Sequence, residues 1–239
     1  MVYDSPVFGL VRPAYTTGHF FALTGKLKLA KHKPRSIVCI DGFNLYYGAI
    51  RGGPHKWLNL QRYFEMLRPD DDLQAIKYFS ALIDGPTRPN QDAYLLALET
   101  LPAVQVILGK SKAKQILCRH PTCTHAGDRR FSSKEEKRTD VNVAIQLLND
   151  GYKDACDNFV IVSGDSDLVP AVNMLKSLFP AKRVIVYVPA RSAPRGAAVE
   201  LRSAADTDRM LPQNLLARAQ FPASIPDGSG GLISKPATW

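Results

Sequence analysis

Short apolar runs alternate along the middle of the chain with longer segments in which apolar residues recur at helical spacing. Runs of the first kind predict buried strands, and segments of the second kind predict amphipathic helices. The predicted strands are 37–40, 75–83, 104–108, 159–162 and 184–188. The predicted helices are 44–50, 58–67, 91–101, 141–148, 168–179 and 197–205. This alternation predicts an α/β protein with a mostly parallel, Rossmann-like sheet and helices on both faces.

The two ends of the chain lack this alternation. Residues 1–35 hold six Lys and Arg residues against one Asp, which predicts a flexible basic arm. Residues 207–239 are rich in Pro and include the run Asp227-Gly228-Ser229-Gly230-Gly231, which predicts a disordered tail. One folded domain is therefore expected over 36–206, with an insertion at 110–138 that is basic and contains Cys and His.

The charge balance carries information about the binding partner. The 239 residues include 31 Lys and Arg against 22 Asp and Glu, for a formal charge of +9. Such a balance favours a phosphate-rich partner such as RNA, although a solvated basic surface gives the same count. No apolar run approaches the roughly 20 residues of a membrane span, so no membrane partner is predicted. Four cysteines are too few for a disulfide framework at this length, and a reducing cytoplasm is the expected compartment.

Four aspartates are the candidate catalytic and metal-ligating residues. Asp41 directly follows the first predicted strand, and Asp165 and Asp167 follow the strand at 159–162. Asp140 begins the helix that precedes this strand. Because the carboxyl ends of parallel strands meet in one crevice, these carboxylates are expected to crowd together and repel one another. Mg²⁺ or Mn²⁺ relieves such repulsion and prefers oxygen ligands; the alternative is that some of these residues only cap helices.

Phosphate contacts are predicted from two groups of residues. Asn44 and Ser163 adjoin the aspartates and are expected to orient a phosphate or a metal-bound water, although Asn44 is equally suited to cap a helix. The insertion holds nine basic and three acidic residues, and basic side chains of this kind neutralise phosphates. The predicted contacts in the insertion are Lys110, Lys112, Arg129, Arg130, Lys137 and Arg138.

The insertion also contains a short cluster of metal-ligand residue types. Two thiols and two imidazoles, from Cys118, His120, Cys123 and His125, are ligands that form a tetrahedral structural Zn²⁺ site. Their spacing is cramped, with four ligands in eight residues. Ligation shared with another chain, or no zinc at all, remains open on the same residues.

Three segments resemble the motifs of the NYN domain, also called LabA-like, of the PIN-like nuclease superfamily. They are Asp41-Gly42-Phe43-Asn44-Leu45-Tyr46, Glu136-Lys137-Arg138-Thr139-Asp140-Val141 and Val162-Ser163-Gly164-Asp165-Ser166-Asp167-Leu168. The resemblance covers roughly residues 36–206 and leaves the basic arm outside. It implies a PIN-like, Rossmann-like fold, a Mg²⁺ or Mn²⁺ site at Asp41, Asp140, Asp165 and Asp167, and cleavage of RNA. Family analogy also implies a homodimer.

Two other functions fit parts of the same pattern. A non-catalytic RNA-binding or regulatory module on this fold is the main alternative, because a fold does not fix a function. A haloacid-dehalogenase-like phosphatase also places an Asp after its first strand, but its chemistry needs a second Asp two residues later. Position 43 is Phe, which argues against the phosphatase.

Overall fold

Six parallel strands form the central sheet of the structure, a computed structural model that describes residues 32–191 and 198–239. The predicted basic arm at 1–35 lies, up to residue 31, outside the described residues. The strands are β1 (Arg35–Asp41), β2 (Asp72–Ser80), β3 (Val104–Leu108), β4 (Lys110–Leu117), β5 (Arg130–Lys137), β6 (Asn158–Val162), β7 (Arg183–Val188), β8 (Thr207–Met210), β9 (Ser224–Pro226) and β10 (Leu232–Ser234). The central sheet has the order β3-β2-β1-β6-β7-β8, and each neighbouring pair in it is parallel.

Helices connect the strands of this sheet. They are α1 (Gly42–Leu45), α2 (Leu60–Leu67), α3 (Arg88–Glu99), α4 (Thr139–Tyr152), α5 (Val169–Leu178) and α6 (Val199–Ala204). The predicted helix at 44–50 is in fact α1 followed at once by a π-helical turn over Tyr46–Ile50. None of the helices in the described part of the chain is long and apolar enough to span a bilayer.

Alternating side chains of the strands divide the core between the two faces of the sheet. In β1, Val38 and Ile40 contribute to one cluster, which also contains side chains of α2 and α3. Ile37 and Cys39 contribute to the other cluster, with side chains of α4, α5 and α6. This is the expected consequence of a side-chain period of two in a sheet that is covered on both sides. The prediction of a mostly parallel α/β sheet with helices on both faces is confirmed.

The segment 207–239 is built into the fold, so the prediction of a disordered tail is wrong. Strand β8 pairs in parallel with β7 at the edge of the central sheet, and β9 and β10 form a small antiparallel pair. Apolar residues of the segment are buried against the α2 and α3 side of the sheet: Leu211, Leu216, Ala219, Phe221 and Ile225. The backbone of Phe221 donates a hydrogen bond to the carbonyl of Trp57. These apolar residues lie among prolines and glycines without a regular spacing, so no strand or helix pattern indicates them in the sequence. Their side chains are nevertheless buried in the core.

Candidate metal centre

Strand order places a crevice between the carboxyl ends of β1 and β6. Strands β2 and β3 lie on one side of β1, whereas β6, β7 and β8 lie on the other, so the direction of winding reverses between β1 and β6. In open α/β sheets, ligands bind at such a point. Asp41 is the last residue of β1, and Ser163 comes directly after β6.

Three of the four predicted aspartates come together in this crevice. Asp41, Asp140 and Asp165 each offer one carboxylate oxygen, and these oxygens all lie within 4.8 Å of one another. Asp41 is buried, and the other two are half-buried. Asp167 is exposed and lies outside this group. We refer to Asp41, Asp140 and Asp165 as the acidic cluster.

Hydrogen bonds hold the Asp41 carboxylate in one orientation. Its Oδ1 accepts from the backbone N–H of Asn44 at 2.9 Å, and its Oδ2 accepts from the Asn44 side-chain amide at 2.6 Å. The hydroxyl of Ser163, which is fully buried, donates to the same Oδ2 at 3.2 Å. Asn44 also accepts from the backbone N–H of Gly164 through its amide oxygen, at 3.1 Å. Asn44 and Ser163 therefore tie the end of β1 to the loop after β6.

The same network sets the position of Asp165. Its backbone N–H donates to the Ser163 hydroxyl at 3.1 Å, and its own Oδ1 accepts from the backbone N–H of Asp167 at 3.0 Å. Asp165 thus caps the short 3₁₀ turn Ser166–Leu168 that leads into α5. A capping role and a ligand role are compatible, because each carboxylate oxygen has two lone pairs.

Asp140 reaches the crevice from a sharp turn between β5 and α4. Arg138 forms this turn in the left-handed region, with φ of 78°, and Thr139 is buried directly after it. Asp140 then lies in the first turn of α4. A carboxylate at this end of a helix is favoured by the helix dipole.

Burial and mutual repulsion raise the pKa values of the clustered acids. Burial raises the pKa of Asp41, and the charge of Asp165 adds to this effect against the hydrogen bonds from Asn44 and Ser163. Burial also raises the pKa of Asp140, with further contributions from Asp165, Asp41 and Asp167. The cluster therefore holds more negative charge than its surroundings stabilise.

Glu136 is a functional candidate that does not stand out in the sequence. Burial raises its pKa, the Thr139 hydroxyl lowers it, and the charges of Asp41, Asp140 and Asp165 raise it further. Its Oε1 is buried and has no hydrogen-bond partner in the described part of the chain. The signal was weak because the sequence Glu-Glu-Lys-Arg around it is typical of a solvated segment.

These residues fit a hard divalent cation. Carboxylate oxygens are the ligands that Mg²⁺ and Mn²⁺ prefer, and the cluster supplies three of them within 4.8 Å. The unpartnered Oε1 of Glu136 offers a further acceptor for the cation or its water shell. Positive charge would relieve both the raised pKa values and the unpaired oxygen.

Replacing Glu136 with Gln is expected to stabilise the metal-free protein at neutral pH. A carboxyl group whose pKa is higher in the folded state binds more protons when folded than when unfolded, so stability falls as pH rises between the two pKa values. The variant removes one such group, and its melting temperature in EDTA at pH 7.5 should exceed that of the wild type by a few degrees. Mn²⁺ should raise the melting temperature of the wild type more than that of the variant. Thermal unfolding of both proteins, beside the exposed-site control Glu99→Gln, tests this; a variant that melts below the wild type in EDTA contradicts it.

The basic insertion is an antiparallel hairpin of β4 and β5. The basic residues predicted to bind substrate are all exposed on it or next to it: Lys110, Lys112, Arg129, Arg130, Lys137 and Arg138. Lys110 pairs with Lys137 where the hairpin leaves the domain, whereas Leu117 pairs with Arg130 at its far end. With a rise of about 3.4 Å per residue, the two ends are about 24 Å apart.

The basic side chains divide between the two faces of the hairpin. Since side chains alternate along a strand, Lys110, Lys112 and Lys137 share one face, and Glu136 and Arg130 share the other. The second face is the one that carries Glu136, whose pKa is raised by the charges of the acidic cluster. The predicted phosphate contacts are therefore spread over both faces of the hairpin.

The four candidate zinc ligands are not gathered at one point. Cys118 continues the hairpin ladder through its backbone N–H, which donates to the Arg129 carbonyl at 2.9 Å. The Nδ1 of His120 lies 2.8 Å from the Thr122 hydroxyl. Within residues 32–191 and 198–239, the acidic cluster is the one group of three or more Cys, His, Asp or Glu side chains whose ligand atoms all lie within 4.8 Å. The turn of the hairpin thus spreads these residues apart, and the structure gives no support to a zinc site.

Fold and site together define a PIN-like α/β protein with an acidic cluster at its topological switch point. The NYN domain family matches residues 35–211, which includes β8 and so extends beyond the predicted domain end at 206. The chain belongs to the NYN domain family.

Two known proteins illustrate how far similarity extends. The chain is 32% identical over 244 residues to 6-hydroxy-3-succinoylpyridine 3-monooxygenase HspA of Pseudomonas putida (strain DSM 28022 / S16), and the match covers 89% of this chain and 77% of that protein. The crystal structure of a protein of unknown function from Vibrio parahaemolyticus RIMD 2210633 superposes with a TM-score of 0.51 at 19% identity. That match covers 77% of this chain and 97% of the other, and it supports the fold alone.

Proposed function

We propose that this protein is a metal-dependent ribonuclease that hydrolyses RNA phosphodiester bonds at the acidic cluster. The observation that carries the proposal is the convergence of Asp41, Asp140 and Asp165 within 4.8 Å at the switch point of the sheet. Membership of the NYN domain family and the formal charge of +9 favour a polyanionic substrate.

The acidic cluster would hold one or two Mg²⁺ or Mn²⁺ ions. Such an ion supplies two effects when bound: it lowers the pKa of a water molecule, and it offsets charge that develops on the phosphate. Asp41, Asp140 and Asp165 are the ligands in this proposal, with Glu136 next to them. Asp167, at the exposed rim, would act through the water shell. No Ser, Cys or His nucleophile is required.

Asn44 and Ser163 act on the carboxylates instead of on the substrate. Both groups of the Asn44 amide are engaged, one with Asp41 and one with the backbone of Gly164. The Ser163 hydroxyl donates to Asp41 and accepts from the backbone of Asp165. We therefore assign these two residues to positioning Asp41 and Asp165. Their hydrogen bonds hold the carboxylates in the fixed geometry that a catalytic site needs.

Incubation of the purified protein with labelled single-stranded RNA tests the proposed activity. Cleavage is expected with Mn²⁺ or Mg²⁺, and it should be absent with EDTA and in Asp165→Asn. Salt-sensitive binding without cleavage in any divalent metal would favour the non-catalytic RNA-binding module.

Charge on the hairpin is expected to set RNA affinity without setting sequence preference. Replacing Lys112 with Ala should weaken binding about equally for all single-stranded sequences, because phosphate contacts position a strand but do not read it. The slope of log affinity against log salt should fall by about 0.7, the value for one phosphate contact on a single strand. Filter binding or fluorescence anisotropy over a salt series measures both quantities. Lys153→Ala, at the other end of α4, is the matched control, and an equal loss in that variant would contradict a role for the hairpin.

A second candidate function is oxygenation of a small heteroaromatic acid. The observation that favours it is the name of the relative that is 32% identical over 89% of this chain, a monooxygenase acting on 6-hydroxy-3-succinoylpyridine. A monooxygenase places one atom of O₂ in its substrate and reduces the other to water with two external electrons. Oxygen uptake with that pyridine and NADH, measured with and without added metal, tests this candidate in parallel with RNA cleavage.

A further inference from the structure

An aromatic pocket of about 590 Å³ opens beside the acidic cluster. Six rings line it: Phe43, Tyr46, Tyr47, Tyr78, Tyr94 and Trp239. We refer to it as the aromatic pocket. Its volume lies within the range of small-molecule sites, about 300–1,000 Å³.

The inner wall of the pocket is rigid. Tyr78 and Tyr94 are buried, with their ring centres 6.2 Å apart, and the Tyr94 hydroxyl donates to the Leu58 carbonyl at 2.9 Å. Trp239 packs against Tyr94 with ring centres 5.8 Å apart. The Asn90 amide donates to the Thr238 hydroxyl at 3.0 Å, which fixes the chain next to Trp239. A flat ligand thus meets walls that are already in place.

Tyr47 lies on the outer side of the pocket, where its ring contacts Phe43 and Tyr46 with ring centres 6.2 and 5.3 Å apart. It is 56% exposed, although the other rings that line the pocket are buried or half-buried. An exposed aromatic ring keeps its apolar faces in contact with water, and a second flat group that stacks on it would bury that surface. Because Tyr47 is exposed, its removal is expected to disturb the fold little and to weaken a stacked ligand.

The charge of the pocket selects an anion. Arg51 and Lys56 line it, and none of the described residues that line it is Asp or Glu. The Arg51 guanidinium lies 5.3 Å from the ring centre of Tyr47, and the Lys56 amine lies 6.0 Å from that of Trp239. Both cations are thus held over the aromatic walls. The pocket matches a flat ring that is attached to an anionic group.

The aromatic pocket and the acidic cluster are contiguous through Gly42 and Tyr78. Gly42 lines the pocket and directly follows Asp41. A Cβ at position 42 would lie 2.6 Å from Cζ of Tyr78 and 2.7 Å from its hydroxyl oxygen, so only Gly permits this approach. Burial raises the pKa of Tyr78, and the negative charge of Asp41 adds to it, as expected for a hydroxyl near that carboxylate.

We propose that the aromatic pocket binds one nucleobase of the substrate RNA, next to the phosphate that lies at the acidic cluster. The base would stack on Tyr47 and Trp239. Arg51 and Lys56 would contact the phosphates of the RNA backbone next to that base. Aromatic stacking accepts any base, whereas a phosphate without a ring gains nothing from these walls. The assignment of the ring as a nucleobase rests on the proposed ribonuclease function. A free heteroaromatic acid also combines a flat ring with an anionic group.

Calorimetric titration of the full chain in EDTA tests this site without using cleavage. The probes are adenosine 5′-monophosphate, ribose 5-phosphate and pyridine-3-carboxylate. The nucleotide is expected to bind at least about 10-fold more tightly than ribose 5-phosphate, as one base stack would give. Tyr47→Ala and Lys56→Gln should each weaken nucleotide binding about 10-fold, whereas the control Tyr152→Ala, exposed on α4 outside the pocket, should not change it.

Each alternative outcome has a definite meaning. Equal binding of the nucleotide and ribose 5-phosphate would overturn recognition of a base. Binding of pyridine-3-carboxylate in preference to the nucleotide would overturn the proposal in favour of a free aromatic acid. Nucleotide binding that depends on Tyr47 in a protein that does not cleave RNA would support the pocket and remove only the proposed ribonuclease activity.

Discussion

Replacing Asp41 with Asn is expected to lower Mn²⁺-dependent RNA cleavage by at least about 1,000-fold. Bound metal contributes several kcal/mol to such reactions, and each 1.4 kcal/mol corresponds to a factor of ten in rate. Asp41 is the most buried member of the acidic cluster, and three hydrogen bonds from Asn44 and Ser163 fix its orientation. An amide at this position has the same shape but lacks the charge, and its nitrogen cannot accept a hydrogen bond from Asn44 or Ser163. Single-turnover cleavage of labelled RNA at saturating Mn²⁺ measures the effect.

Asp167→Asn is the matched control for this change. It makes the same chemical replacement in the same crevice, but Asp167 is exposed and does not belong to the acidic cluster. Its cleavage rate should stay within about 10-fold of the wild type, in keeping with a contact through the water shell. The melting temperature of Asp41→Asn in EDTA provides the folding control, because the change removes a buried charge but also removes one acceptor of the hydrogen bonds from Asn44 and Ser163. If both variants cleaved RNA at rates near that of the wild type, the acidic cluster would have no part in the mechanism.

The central sheet and its aspartates were predictable because each depends on a local pattern. Strand β6 is buried along its whole length, and its apolar run stands out in the sequence. Asp165 could then be placed near Asp41, since the carboxyl ends of parallel strands share one edge of the sheet. The confirmed fold and the grouping of Asp41, Asp140 and Asp165 follow from this reasoning.

The hairpin and Glu136 were not predictable in the same way. Strand β4 reads Lys-Ser-Lys-Ala-Lys-Gln-Ile-Leu, and nearly all of it is exposed, so no apolar face reveals its period of two. Without this strand, the register that turns Glu136 toward the acidic cluster could not be derived. Position 136 gains its meaning only from pairing with Ser111 across the ladder.

The aromatic pocket is a third feature that no local pattern contains. Tyr47 comes from the π-helical turn after α1, Tyr94 from α3, and Trp239 from the segment that was expected to be disordered. A helix predicted over 44–50 gives no sign that the turn widens and presents Tyr47 outward. Pockets assembled from segments this far apart in sequence depend on tertiary packing, which composition does not encode.

A buried ion pair between the sheet and α4 supports the second large prediction. The Lys77 amine of β2 lies 2.8 and 2.7 Å from the two carboxylate oxygens of Asp150, and it donates to the Gln146 side chain at 2.8 Å. The side chains of Lys77 and Asp150 are only 7% and 6% exposed. Taking two charges out of water is costly, and only their mutual contact offsets that cost. Neither partner can therefore be removed alone without leaving a buried, uncompensated charge under α4.

Lys77→Met is expected to lower the free energy of unfolding by about 3–5 kcal/mol, measured by urea denaturation. The double variant Lys77→Met with Asp150→Leu should regain most of this loss, because it removes both charges and keeps the volume apolar. Arg88→Met provides the comparison, since it breaks the exposed pair with Asp92, whose side chains are 33% and 45% exposed. That change should cost less than about 1 kcal/mol. Equal losses in Lys77→Met and Arg88→Met would mean that water reaches the Lys77 site, and the packing of α4 on β2 would then be looser than the contacts between Lys77, Gln146 and Asp150 imply.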